Sequence, residues 1–153
     1  MSNLNDIRTD YTQGDLNLED LPDSPFDFFK QWMDNASQFI KKDANAFVLS
    51  TVDATGSPSS RVVLLRKVDD TGFSFFTNYN SYKAQSIVSN HKVSMNFFWS
   101  ELERQIRIDG VIEKVSEKAS DIYFNSRPYE SQIGAWASDQ SSVLSSRQVI
   151  EER

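Results

Sequence analysis

Between Ala46 and Val115 the chain is cut into short β-branched and aromatic runs by closely spaced turn signals. Runs this short, separated this tightly, leave no room for the helical crossovers that parallel strands require. AFVLSTVD (46–53) ends in ATGSP, where Gly56 and Pro58 mark a turn, and RVVLLRKV (61–68) returns, so the pair reads as a hairpin. Asp69-Asp70-Thr71-Gly72 is a second tight turn, and FSFFTN (73–78) a third strand. VSMNFFW (93–99) and RQIRIDGVIEKV (104–115) complete the set. The last run alternates Ile106, Ile108 and, beyond Gly110, Val111 and Val115; a glycine inside it predicts a bulge or a sharp bend. The expectation is a mainly β chain with inserted helices, an α+β fold whose antiparallel strands form a small barrel with peripheral helices.

The helices frame these strands. The first 24 residues are polar and punctuated by Gly14 and Pro22, and read as an N-terminal arm, with residues 25–153 as the folded domain. Pro25 suits the first turn of a helix whose Phe28, Phe29, Trp32, Met33, Ala36, Phe39 and Ile40 recur at three- and four-residue spacing. That aromatic stripe reads as core packing. SYKAQSIVSN (81–90) is a short helix with Ser81 as N-cap, and SEKASDIYFNS (116–126) a second that Arg127-Pro128 ends. SSVLSSRQVIEER (141–153) places Val143, Leu144, Arg147 and Ile150 at helical spacing.

Composition narrows the function. At 153 residues with 39% hydrophobic and 12% aromatic side chains, the chain has enough for one real core. No apolar run approaches the ~18 residues of a membrane span, and the opening MSNLNDIRTDYTQGD lacks a secretory pattern, so a cytoplasmic location is expected. Without cysteine there is no thiolate metal site and no cysteine nucleophile; the lone His91 sits in a loop, where a solvated role outweighs a metal-ligand one. A net charge of −6 argues against nucleic acid as the main partner. The charge is uneven, however: residues 1–45 carry nine acids against four bases, and residues 61–107 seven bases against four acids. A locally basic middle in an acidic chain suits a pocket for a small anion.

Three local patterns fit that pocket. Thr77-Asn78 followed by Ser81-Tyr82-Lys83 brings a hydroxyl, the open amides of a helix start and a lysine together, the chemistry of a phosphate site. There is no glycine-rich loop, so Walker and Rossmann readings fail. Arg61 and Arg66 flank Val62-Val63-Leu64-Leu65; in a regular strand they leave on opposite faces and serve two parts of a larger ligand, or simply reach solvent. Arg127 before Pro128 stands on a stiff extended corner suited to a carboxylate or phosphate, within SRPYESQIGAWASDQSS (126–142), otherwise a polar turn. Gln105 offers a donor and an acceptor to the edge of a heterocycle.

RVVLLRKVDDTGFSFFTNYNSYKAQSI, ERQIRIDGVIEKVS and YFNSRPYESQIGAWASDQSS, in this order and spacing, resemble the pyridoxine/pyridoxamine 5′-phosphate oxidase family, and RTDYTQGDL with DLPDSPFDFF resembles its arm and first helix. The resemblance implies a homodimer of split β-barrels with FMN at the subunit interface. It implies oxidation of pyridoxine or pyridoxamine 5′-phosphate to pyridoxal 5′-phosphate, by hydride transfer to the flavin, with O2 as acceptor and H2O2 released. It further implies FMN contacts at Arg61, Val62, Val63, Leu64, Leu65, Arg66, Phe76, Thr77, Tyr82, Lys83, Gln105, Gln140 and Ser141. Substrate contacts are implied at Arg8, Tyr11, Arg66, Tyr123, Arg127 and Ser131. Arg66 stands where the family usually has lysine, and Tyr82 where arginine is common. The family continues beyond the equivalent of Arg153 with Trp-Gly-Gly and Arg-Leu-His segments, so the domain is expected to be shortened at its C-terminal end. The alternative is a split barrel that binds flavin or pyridoxal phosphate without turnover.

Overall fold

The computed structural model describes residues 4–7 and 10–152. Helix α1 (Pro25–Phe39) begins with Pro25 in its first turn, where the missing N–H is no loss. Phe29 and Ala36 are buried on its inner face, with Trp32, Met33 and Ile40 packed beside them. Phe39, expected in the stripe, is 62% exposed. It stands about 100° around the helix from Ile40 and so leaves the inward face.

Strand β1 (Ala46–Val52) alternates strictly, with Phe47, Leu49 and Thr51 buried. It turns through Asp53, whose carboxylate accepts from the amides of Thr55 and Ser57, and through Gly56 at φ +86°. Strand β2 (Pro58–Leu64) then pairs back in the expected hairpin, from Val52 opposite Pro58 to Ala46 opposite Leu64. The expected strand over 61–68 is divided. Leu65 drops into the core at 6% exposure, its amide bonded to the Asn45 carbonyl and its own carbonyl to the Asn45 side chain. The chain leaves the sheet there and starts a separate small hairpin, β3 (Lys67–Asp69) with β4 (Gly72–Ser74). Of the run 73–78 only Phe73 and Ser74 join that ladder; Phe75 to Asn78 continue outside it.

Strands β5 (Lys92–Trp99) and β6 (Arg104–Val111) complete an antiparallel sheet of order β2-β1-β5-β6. Their register runs unbroken from Trp99 opposite Arg104 to Lys92 opposite Val111. Gly110 pairs with Val93 one residue before β6 ends, so no residue is inserted and the expected bulge is absent. The inner face of the sheet, with Phe47, Leu49, Met95, Phe97 and Trp99, packs on Phe29, Ala36, Leu65 and Leu102. Its rings meet edge to face, as Phe29 does with Phe97 at 5.1 Å, and the Trp99 indole N–H is bonded to the Ala44 carbonyl. This is the expected antiparallel α+β fold. Among the described residues the sheet stays open and closes no barrel.

Helix α2 (Tyr82–Ser89) follows Ser81, and α3 (Glu117–Ser126) is capped by Ser116, which accepts from the Ala119 amide. Sequence reasoning left residues 129–137 in a turn. They form helix α4 (Tyr129–Ala137), launched from Pro128 with Glu130 in its first turn. The expected final helix is short, α5 (Gln148–Glu151), after an irregular stretch that starts near Ser141 at φ +66°.

Candidate active site

A cleft of about 1400 Å³ opens along β2 and is walled by Phe75–Tyr79, α2, α3, α4 and the start of the segment after it. Among the described residues strand β2 is an edge strand whose one ladder partner is β1, which leaves its other edge without a neighbouring strand. Val62, Val63 and Leu64 line the cleft. Arg61 and Arg66 also line it, contrary to the opposite-face expectation for a regular strand. The departure at Leu65 ends the two-residue alternation before Arg66 is reached, and the Arg66 amide is bonded to Ser74 of the next hairpin instead.

The most enclosed cation of the cleft lining is Lys83. This side chain is only 8% exposed. Its Nζ donates to Gln140 Oε1 at 2.9 Å, Thr77 Oγ1 at 3.1 Å and Ser81 Oγ at 3.3 Å, all neutral oxygens. Arg61 points inward and donates to Thr51 Oγ1 at 2.9 Å, to the Leu49 carbonyl at 3.1 Å and to Ser59 Oγ. Burial, and then the neighbouring Arg61 charge, pushes the Lys83 ammonium below its ordinary range; burial does the same to Arg61. Among the described residues no carboxylate forms an ion pair with either cation. Desolvated cations without an opposite charge are expensive, and an anion placed beside the pair would offset that cost.

Tyr82 begins α2 in the same lining, and its hydroxyl donates to Asp53 Oδ2 at 2.9 Å. That proton is therefore committed to the β1–β2 turn. Asp53 is held down to about 2, first by the Thr55 hydroxyl, then by Tyr82 and the turn amides. Sequence reasoning missed Asp53. Its Asp-x-Thr turn is legible locally, whereas its reach to a side chain 29 residues on is not.

Elsewhere in the lining, Phe76 and Tyr123 stack face to face, 3.8 Å between centroids and 7° between planes. The Arg66 guanidinium lies 5.7 Å from the Tyr123 ring centre. Arg127 closes α3 with the extended backbone its proline demands, φ −75° and ψ 149°. Its carbonyl is held by Gln132 Nε2 at 2.8 Å, and its guanidinium lies over the Phe124 ring at 5.9 Å. Ser131, Gln140 and Ser141 line the same cleft. Lys114, 4.6 Å over the Tyr79 ring, also borders it and was not singled out by sequence reasoning.

Three expected contacts lie elsewhere, and a fourth is outside the described residues. Leu65 is in the core. Gln105 is on β6, at the far edge of the sheet, and donates to Asn96 Oδ1 at 2.8 Å. Tyr11 is 82% exposed on the arm and does not border the cleft, and Arg8 lies outside the described residues.

The chain and its fold are similar to known proteins. Residues 33–153 match the family model for pyridoxamine 5′-phosphate oxidase. The pyridoxine/pyridoxamine 5′-phosphate oxidase of Ralstonia pickettii is 46% identical over the whole chain, which spans 72% of that relative; that of Nostoc punctiforme is 49% identical over 97% of this chain and 69% of its own. Among solved structures, PhzG from Burkholderia lata, in complex with tetrahydrophenazine-1-carboxylic acid, superposes with a TM-score of 0.83 at 28% identity, over 88% of this chain and 66% of that one. An FMN-binding, pyridoxamine 5′-phosphate oxidase-related protein from Nostoc punctiforme shares the fold with a TM-score of 0.69 at 16% identity, over 86% of this chain and 73% of that one. With a family model over most of its length and relatives this similar, the chain belongs to the pyridoxamine 5′-phosphate oxidase family.

Proposed function

We propose that this protein binds FMN and oxidises pyridoxamine or pyridoxine 5′-phosphate to pyridoxal 5′-phosphate, with O2 as electron acceptor and H2O2 as product. The observation that carries the reading is Lys83, nine-tenths buried beside Arg61 and contacted only by neutral oxygens. The residues present fit the cofactor: a phosphate monoester supplies the negative charge that this pair lacks. Thr77, Ser81 and Gln140 would share in holding it, and the free edge of β2 offers backbone groups to a flat polar ring. Bound FMN would supply the two-electron acceptor that no side chain of the cleft provides.

The chain's own part is to bind and orient. Tyr123, Arg127 and Ser131, which line the same cleft as Lys83, offer a hydroxyl, a bidentate cation and a second hydroxyl for the substrate phosphate. Arg66, 5.7 Å from the Tyr123 ring centre, is a further cation in that lining. With cofactor and substrate each held by its phosphate, the carbon bearing the amine or alcohol is oriented within the cleft, the positioning that accelerates a bimolecular step. For the amine the overall balance is substrate, O2 and water to aldehyde, ammonia and H2O2; for the alcohol, substrate and O2 to aldehyde and H2O2. The reading includes a homodimer, in which a second copy brings Gln105 and the arm toward a cleft that lacks them within one chain, and a cytoplasmic location.

The test is anaerobic. The protein is reconstituted with FMN and mixed with pyridoxamine 5′-phosphate; bleaching of the flavin absorbance near its oxidised maximum, followed by peroxide release on admitting air, is expected. A holo-protein that stays oxidised under substrate defeats the oxidase reading and leaves the non-catalytic binder. A second reading is favoured by PhzG, whose bound ligand is a tetrahydrophenazine carboxylate. On that reading the same assay bleaches with a reduced tricyclic carboxylate and not with the B6 phosphate.

A further inference from the structure

The arm makes one tight, charged contact with the folded body. Glu103 Oε2 accepts the backbone N–H of Thr12 at 2.6 Å and that of Gln13 at 2.8 Å, across some 90 residues of chain. Two consecutive amides converging on one carboxylate oxygen fix both the position and the direction of the segment that carries them. The base of the contact is rigid. Glu103 ends the four-residue connection between β5 and β6, with Leu102 buried in the core before it and Arg104 after it. Arg104 is bonded to Asn35 at 2.9 Å and lies over the Trp32 ring at 4.7 Å, tying the turn to α1. Glu103 itself holds a left-handed conformation, φ +52° and ψ 36°, which glycine or asparagine would adopt more readily. A glutamate kept in that conformation, with its carboxylate spent on the arm, is the pattern of backbone strain serving a contact.

We infer that Glu103 is a positioning residue that latches the arm, and that by fixing Thr12 and Gln13 it sets where the adjoining Tyr11 is presented. The part concerning Tyr11 rests on the oxidase reading, since it is there that the arm meets substrate; the latch itself does not. None of Asp10 to Gln13 borders the cleft of its own chain, so what the latch aligns is a surface offered outward from the β6 edge of the sheet.

The test uses the full chain and two variants. Glu103→Gln keeps size and removes charge; Glu103→Asn removes charge and reach but tolerates the left-handed backbone, so it separates loss of the latch from loss of the turn. Hydrogen exchange of the Thr12 and Gln13 amides, followed by NMR, should quicken by about tenfold or more in Glu103→Asn, and less in Glu103→Gln, as expected for losing a charge-assisted bond. The amides of Met95 and Ile106, in the neighbouring ladder, should not change. Unchanged exchange at Thr12 and Gln13 overturns the latch. In the oxidase assay KM for pyridoxamine 5′-phosphate should rise several-fold in both variants while kcat stays near that of the parent. Faster amide exchange with KM unmoved overturns the positioning of Tyr11. A parent protein with no turnover defeats the oxidase reading alone, and the amide exchange still decides the latch.

Discussion

Lys83 carries the largest consequence of any single residue. Its positive charge is a liability to the fold alone and, on the proposed function, an asset for holding the FMN phosphate, so one substitution should move stability and binding in opposite directions. Lys83→Met is expected to raise the thermal midpoint of the FMN-free protein, because a buried cation with no ion-pair partner is replaced by an apolar chain of similar length. The same change should weaken FMN by roughly tenfold to a hundredfold, the worth of about 1.5–3 kcal/mol for a charged hydrogen bond. The pH dependence has a definite sign. The folded pKa lies below the ordinary 10.5, burial being the first cause, so the charged form is the disfavoured one and its cost is relieved as pH rises through that lowered value. FMN needs the charged form, and its affinity should fall over the same rise; fluorescence quenching titrations from neutral to alkaline pH check this, with Lys83→Met flat by comparison. Arg127→Ala is the reciprocal case: pyridoxamine 5′-phosphate binding should drop about tenfold or more, with FMN little changed. Equal loss of both ligands would make the arginine structural.

At the scale of elements, the β1–β2 turn is where local chemistry reaches the cleft. Asp53 is depressed to about 2 by the Thr55 hydroxyl, the Tyr82 hydroxyl and the turn amides. A carboxyl lower in the folded than in the unfolded chain adds stability above its unfolded pKa of 3.8 and loses it as pH falls through the folded one. Urea midpoints should therefore decline between about pH 4 and pH 2, less steeply in Asp53→Asn; parallel declines in the two proteins would show that the turn does not hold its carboxylate in solution. Residual slope in the variant is expected, since Asp69 is depressed as well, first by Lys67. How far elements could be read from sequence follows the range of the forces that make them. The hairpin of β1 with β2, signalled by Gly56 and Pro58, and the Thr77-to-Lys83 cluster are local and were legible. The break at Leu65 was not, because an apolar residue extending an apolar strand looks the same whether it stays in the ladder or turns into the core. Helix α4 was hidden for a different reason: Ala137 is its one buried residue, and Tyr129, Ile133 and Trp136 are exposed, so no apolar stripe announces it. The bond from Lys83 to Gln140 spans 57 residues, beyond the reach of any spacing argument.

For the molecule as a whole, the four-stranded sheet is finished on one face only. Its inner face is the core; its outer face presents Val62 and Phe98 at 65% exposure and Val111 at 74%, on β2, β5 and β6. Phe98 is directly opposite Gln105, the expected flavin contact that lies away from the cleft. Exposed apolar side chains among polar ones, beside a ligand contact away from the cleft, are what a homodimer with its cofactor at the seam would need, and a stable interface of that kind buries on the order of 1,200–2,000 Å². Phe98→Lys tests the arrangement without touching the core, because the side chain is already in solvent within one chain. The parent should sediment as a dimer and the variant as a monomer, with the far-ultraviolet circular dichroism of both alike. FMN affinity should fall by about tenfold or more with dissociation, the cost of losing at least one good hydrogen-bonding partner together with the water-excluding seam around it. A parent that is monomeric and binds FMN fully would end the shared-site reading. So would a Phe98→Lys dimer that binds FMN as tightly as the parent, since the seam would then have to lie on another face.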